Sequence, residues 1–161
     1  MKIATRTLHL LLMGLVLTAP WLVAQDETAE AVRQQIRDMH QMYKAGDFDA
    51  YLEGYAIGAT RFRTRGDRLR PPYTEQSLAA QAARFKANYA AGARDDTTVE
   101  DIAVQVYGST AVATYYREGR ITNANKETRS VVRRVSQVFV EDGGTWKVVH
   151  THLSDLVQPS E

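Results

Sequence analysis

The stretch that decides the fold runs Trp146-Lys147-Val148-Val149-His150-Thr151-His152-Leu153-Ser154. It follows an acidic, glycine-rich turn, Glu141-Asp142-Gly143-Gly144, which itself follows a β-rich run from Val131 to Val140. Two such runs joined by a glycine turn predict a β-hairpin. Regular alternation along the second run places Trp146, Val148, His150, His152 and Ser154 on one face. Two imidazoles and a hydroxyl then share a face with bulky apolar groups, as where a core grades into a pocket.

Upstream of the hairpin the chain is also β-rich. Ile102, Val104 and Val106 alternate within Val99 to Val106, and Gly108-Ser109 makes a turn. Ala111 to Ile121 follows, then a loop at Thr122-Asn123-Ala124-Asn125, then the long run Thr128 to Val140. Towards the N-terminus the period changes to that of helices. Val32, Ile36, Met39 and Tyr43 form a stripe within Glu27 to Lys44, with Asp26 or Thr28 as the expected cap. The junction Lys44-Ala45-Gly46-Asp47-Phe48-Asp49 turns into a short second helix capped by Asp47. A strand is expected from Tyr55 to Arg65, then a loop around Pro71-Pro72, and a third helix capped by Thr74 and ended by Gly92. Helix, helix, strand, helix and four antiparallel strands make an α+β class fold, a curved antiparallel sheet packed on three N-terminal helices.

The first residues read as a signal peptide. Lys2 and Arg6 precede the apolar stretch Leu8 to Leu17, and Val23-Ala24 stands before the polar run Gln25-Asp26-Glu27. Cleavage after Ala24 predicts an exported, periplasmic or secreted chain, with a domain over residues 25–157 and a tail over 158–161. The leader holds two cations and no acids, so its removal takes the formal charge from +1 to −1. Nothing in that balance points to nucleic acid, and no stable membrane span remains after cleavage. The absence of cysteine excludes disulfides and thiol chemistry.

The order of elements and the C-terminal residues together resemble the nuclear transport factor 2-like superfamily of cone-shaped α+β domains. Ala45-Gly46-Asp47-Phe48-Asp49 looks like the helix junction of its SnoaL-like and ketosteroid-isomerase-like members. The run Gly144-Thr145-Trp146-Lys147 leading into His150-Thr151-His152-Leu153-Ser154 is closer to the association domain of calcium/calmodulin-dependent protein kinase II and its small bacterial relatives. No kinase motif is present. The isomerase branch implies a tyrosine donor where this chain has Met39 and an acidic base at or near Arg63. Methionine donates no hydrogen bond, and arginine accepts no proton near neutral pH, so that mechanism is not expected.

Alternation gives the strands inward sets. Val131, Arg133, Val135, Gln137 and Phe139 form one, and Ala111, Ala113, Tyr115, Arg117 and Gly119 the next. The association-domain resemblance implies arginines deep in the cavity. Tyr115-Tyr116-Arg117 resembles its Tyr-x-Arg strand and Ala83-Arg84-Phe85 its helix, with Ala83 replacing a histidine and Gln137 an arginine. The expected binding residues are therefore Arg117, Arg133, Tyr115 and Gln137, with Arg84, Arg63, His150 and His152 beside them. The inward sets hold no Asp or Glu, so Arg117 and Arg133 are expected to take an anion such as a small carboxylate. Asp38 and His40 are expected on a solvated helix face. His150-x-His152 lacks a third ligand, so neither metal nor cofactor is expected. Val132, Val138, Val140, Val149 and Leu153 are expected on an outer face that pairs copies as a homodimer or higher oligomer. The functional expectation is a non-catalytic module binding a small anion. A SnoaL-like or dehydratase-type enzyme using His150 or His152 with Tyr115 is the alternative, and a ligand-free scaffold a further one.

Overall fold

The computed structural model describes residues 20–63 and 68–156, with side chains from residue 25 onward. Most of the expected leader, Thr64 to Asp67, and the expected tail at Gln158 to Glu161 lie outside the described residues. Among the described residues, the helices α1 (Pro20–Ala45), α2 (Phe48–Glu53) and α3 (Glu75–Ala90) accompany five strands. The strands are β1 (Tyr55–Phe62), β2 (Arg94–Tyr107), β3 (Thr110–Thr122), β4 (Thr128–Asp142) and β5 (Thr145–Asp155). Among the described residues no helix is long and apolar enough to cross a membrane.

Helix α1 starts earlier than its stripe predicts. Asp26 and Thr28 are consequently interior rather than capping residues, and the helix continues through the Val23-Ala24 junction. Its buried side is the expected one: Val32, Ile36 and Met39 are almost fully enclosed. Gly46, at φ +84°, closes the helix in the left-handed region that favours glycine. Asp47 then accepts from Ala50 N at 3.3 Å and caps α2. Thr74 and Ser77 cap α3 reciprocally, with serine in the place usually held by Glu or Gln.

The sheet order is β1-β5-β4-β3-β2. Strands β2 to β5 pair antiparallel in sequence, while β1 joins β5 in parallel, so the sheet is mostly rather than wholly antiparallel. The concave face packs on α1, and the core is filled by Val32, Ile36 and Met39 with Ala111, Ala113, Val135, Phe139 and Val148. The inward sets expected for β3 and β4 are the ones found. Segment 70–73 lies against the edge of β1, with Arg70 N donating to Arg61 O at 3.0 Å and Tyr73 N to Ala59 O at 2.9 Å.

Strand β5 departs from regular alternation. Val148 pairs with Phe139 and His150 with Val138, leaving Val149 as an extra residue in a bulge. Beyond it the phase is reversed. Thr151 is buried and Leu153 packs against the core, correcting the placement of Leu153 on the outer face. His150 and His152 turn outward instead. A second irregularity, between Glu100 and Ala103 in β2, includes Asp101 at φ +52°. It allows Asp95, Thr97 and Val99 to face inward before it, and Ile102, Val104 and Val106 after it.

His40 corrects another expectation. It is buried, and its Nε2 lies 2.9 Å from Thr97 O. A carbonyl only accepts, so Nε2 carries the proton and donates. Lys44 Nζ donates to the same carbonyl at 3.1 Å. Together they tie α1 to β2. Asp38 remains exposed, accepting from Gln34 at 2.8 Å.

Two glycines face very different neighbours. A Cβ on Gly119 would stand 2.4 Å from Asp96 O and 2.8 Å from Thr97 Cα, both backbone atoms, and Gly119 has φ +143°. A Cβ on Gly54 would meet the flexible end of Met39 instead. Gly119→Ala should therefore cost about 2–4 kcal/mol, within the range for strained backbone positions. Gly54→Ala should cost clearly less, and urea titration of both variants measures the difference.

Burial lowers the pKa of His40, an effect that outweighs its bond to Thr97. Its contribution is thus fully present above the unfolded imidazole pKa of about 6.5 and declines as pH falls below that value. The slope of stability against pH between about 6.5 and 5 should flatten in His40→Gln. Chemical denaturation across that range checks this.

Candidate functional site

Between the helices and the concave face of the sheet lies a cavity of about 290 Å³. Its walls come from α1, α2, β1, segment 70–73 and the concave ends of β2 to β5. Aromatic rings frame it. Tyr51 meets Tyr43 at 5.0 Å and Tyr55 at 5.6 Å between centroids, and Tyr55 meets Tyr73 at 5.6 Å, all edge to face. Phe85 of α3 completes the frame against Tyr43 at 5.3 Å. The helix junction generates this cluster: Asp47 turns the chain so that Tyr51 follows Tyr43 on the pocket side. The Tyr51 and Tyr55 hydroxyls are 2.9 Å apart. Burial and the neighbouring Tyr55 hydroxyl push Tyr51 well above the ordinary phenol range, so it stays a neutral donor.

Among the described residues, the guanidinium groups of Arg61, Arg63, Arg117 and Arg133 line the cavity. Three of these were expected. Arg61 was not among the expected binding residues. Its guanidinium lies 4.4 Å from the Tyr73 ring centroid and donates to Gln81 Oε1 at 3.2 Å. Burial, reinforced by repulsion from Arg63, pulls the Arg61 pKa below its usual value.

The expectation that Arg117 and Arg133 lack carboxylate partners is overturned. Arg117 pairs with Asp95, each side chain only 15% and 11% exposed. Burial would raise the Asp95 pKa, but the charge of Arg117 and hydrogen bonds from Thr97 and Arg117 together hold it below the ordinary carboxylate range. Thr97 supplies both its N–H, at 3.2 Å, and its hydroxyl, at 2.5 Å, to Asp95. Arg133 Nε donates to Asp155 at 2.8 Å, and Arg129 approaches the same carboxylate at 3.6 Å. Both acids fall outside the strand limits that alternation predicts, one before Val99 and one after Ser154.

The remaining expected residues divide. His150 and His152 lie on the outer face and flank Phe62, at 5.8 and 5.7 Å between ring centroids. His150 Nδ1 is 2.8 Å from Thr60 Oγ1. Neither histidine lines the cavity, because the bulge at Val149 reverses the faces of β5; Thr151 and Leu153 stand there instead. Tyr115 and Gln137 lie behind the cavity wall. Tyr115 Oη donates to Gln137 Oε1 at 2.9 Å, and Gln137 Nε2 donates to Thr151 Oγ1 at 3.2 Å. Arg84 is exposed on α3 and reaches the site only indirectly, by donating to Gln81 Oε1 at 2.7 Å. Among the described residues no group of His, Cys, Asp and Glu could hold a metal ion.

The buried donors exceed the acceptors available to them. Arg61 and Arg84 both use Gln81 Oε1, which fixes the amide and leaves Gln81 Nε2 without an acceptor. Arg61 Nε and Arg117 Nε are likewise buried and unpaired. A donor-rich enclosure of rings and guanidinium groups can hold an oxygen-rich, negatively charged group. Among the described lining residues the carboxylate is that of Asp95, held ionised by its pairing with Arg117.

The sequence model of the SnoaL-like domain matches residues 32–158. No curated protein matches significantly. Among solved structures, an NTF2-like dehydratase candidate from Streptomyces avermitilis superposes with a TM-score of 0.68 at 16% identity, covering 83% of this chain and 99% of the other. The association domain of C. elegans CaMKII gives 0.63 at 18%, covering 81% and 98%. A ketosteroid isomerase-like protein from Erwinia carotovora atroseptica gives 0.61 at 14%, covering 88% and 100%. At these identities the similarity is one of fold, and it agrees with the cone-like α+β architecture. With the family match spanning most of its length, the chain belongs to the SnoaL-like domain family, within the NTF2-like fold.

Proposed function

We propose that this protein is a binding module whose cavity receives a small anionic molecule, a carboxylate carried on a planar or aromatic body. The observation that carries this reading is the buried, unpaired Nε of Arg61, a residue of the cavity lining, with Gln81 Nε2 unpaired on the neighbour that Arg61 bonds. A buried donor without an acceptor costs about 1–3 kcal/mol. A ligand oxygen placed there would recover that cost. The rings of Tyr51, Tyr55, Tyr73 and Phe85 would cover the ligand's body, and Arg61, seated on Tyr73, would present its guanidinium in a fixed plane.

The basis differs from the simple charge argument. Arg117 and Arg133 already have carboxylate partners, so the anion would complement an incomplete hydrogen-bond set rather than neutralise two lone charges. The enzymatic alternative loses its hairpin histidines, since both face away from the cavity. A chain exported through its N-terminal leader, self-associating through Val132, Val138 and Val140, completes the proposal. The leader pattern supports export. The half-buried valines on the convex face, together with the likeness to CaMKII association domains, support assembly.

Thermal denaturation with benzoate, acetate, phosphate and sulfate tests the binding reading. A ligand at 100 times its Kd should add about 2.7 kcal/mol. For a domain of this size that is a rise of about 5–10 °C. Benzoate should act at lower concentration than acetate, and Arg61→Gln should weaken it about 10–100-fold, the worth of a charge-assisted bond. No rise with any of these anions, or equal rises in the wild type and Arg61→Gln, would overturn the proposal.

A further inference from the structure

Behind the Tyr43–Tyr51 wall lies a second, much smaller chamber of about 30 Å³. It shares Tyr43, Tyr51 and Arg117 with the main cavity and reaches inward to His40, Tyr115 and Gln137. Its apolar lining is Ile36, Met39 and Val99. The volume suits a single water, for which about 10–15 Å³ of probe-sized space is enough.

The hydrogen-bond inventory of this chamber is unbalanced in an informative way. Tyr115 and Gln137 are satisfied by each other and by Thr151. Tyr51 is engaged with Tyr55. Three groups remain. His40 donates through Nε2 to Thr97 O, which leaves the Nδ1 lone pair as an acceptor. Arg117 Nε–H is a buried donor with no acceptor. The Tyr43 hydroxyl can serve either way. One water accepting from Arg117, donating to His40 Nδ1 and exchanging a bond with Tyr43 would use all three, the usual number of partners for a buried water.

We propose that the chamber is a subsite for one oxygen atom, filled by a resident water held between His40 Nδ1, Arg117 Nε and the Tyr43 hydroxyl. Burial keeps His40 neutral at physiological pH, so the lone pair on Nδ1 is available. The charged groups bearing on the imidazole are Lys44 on its own helix, Asp95 on β2 and Arg117 on β3. The two cations oppose its protonation. The Thr97 carbonyl fixes which nitrogen carries the proton, much as a third group orients a catalytic base. His40 therefore acts as a positioning residue for whatever oxygen occupies the chamber. This inference does not depend on the anion reading, since a water there needs no ligand in the main cavity.

A crystal structure of the unliganded chain that resolves ordered solvent provides the first test. One water should stand about 2.6–3.2 Å from His40 Nδ1 and from Arg117 Nε or the Tyr43 hydroxyl. Nitrogen-15 NMR of the wild-type imidazole provides the second, with the proton expected on Nε2 and Nδ1 behaving as a hydrogen-bonded acceptor. His40→Gln keeps a donor for Thr97 O but removes the Nδ1 acceptor, and its water should be lost or displaced. A dry chamber in the wild type, or an imidazole protonated on Nδ1, overturns the proposal. Because both wild-type readouts stand alone, failure of His40→Gln to fold does not blunt the test. Loss of anion binding with the water still in place would count against the proposed function and not against this subsite.

Discussion

One extra residue in β5 determines what the cone encloses. Side chains on a strand alternate with a period of two, so inserting Val149 against an unbroken β4 exchanges the faces of everything after it. Val148 before the bulge is sealed in the core, while Thr151 and Leu153 after it point to the same side. The parallel neighbour follows. Thr60 pairs with His150, Arg61 with Thr151 and Phe62 with His152, after an irregularity that contains Gly58 at φ +88°. Arg61 thereby enters the cavity, and Thr60 and Phe62 join the histidines outside it. Two strands have one shared phase, and the chemical character of the cavity follows from it.

The opposite wall rests on a comparable device. The irregularity in β2 keeps Asp95 and Thr97 on the concave side without turning Ile102, Val104 and Val106 out of the core. Gly119 allows β2 to close on β3 at that point, since any Cβ there would meet the backbone of Asp96. The resulting Arg117–Asp95 pair is poorly exposed, and the desolvation of such pairs offsets much of their attraction. Its structural consequence is orientation: one edge of the guanidinium is committed to Asp95 and Thr97, while Nε remains for another partner.

How much of this was legible in the sequence varied with the regularity of each element. The α1 stripe and the inward sets of β3 and β4 were readable because Val32, Ile36, Phe139 and Tyr115 mark uninterrupted periods. The family resemblance carried by the hairpin matched the fold. The bulges were not readable. Val149 sits in a Val-Val pair with no glycine or other mark, and the phase change in β2 shows only as the three-residue step from Val99 to Ile102. Asp95 and Asp155 escaped because each lies just beyond the strand that alternation delimits. His40 was missed for another reason. Helix α1 is covered by β2 as well as by the central strands, so its buried arc is wider than one stripe and includes residue 40 beside residue 39.

The cavity that results is rich in donors and poor in free bases, and its electrostatics bear on the proposed ligand. Arg61 and Arg63 repel each other across the cavity wall, and burial deprives Arg61 of water. Both effects weigh against the free protein. An anion bound between the rings, as proposed, would relieve them together while gaining charge-assisted bonds. The Tyr73 face beneath Arg61 limits the orientations available to the guanidinium, so less entropy is lost when a carboxylate engages it. On the proposed reading, the rings and guanidinium groups of the described lining suit a flat acid, whose oxygens would share the donors that the protein leaves unpaired.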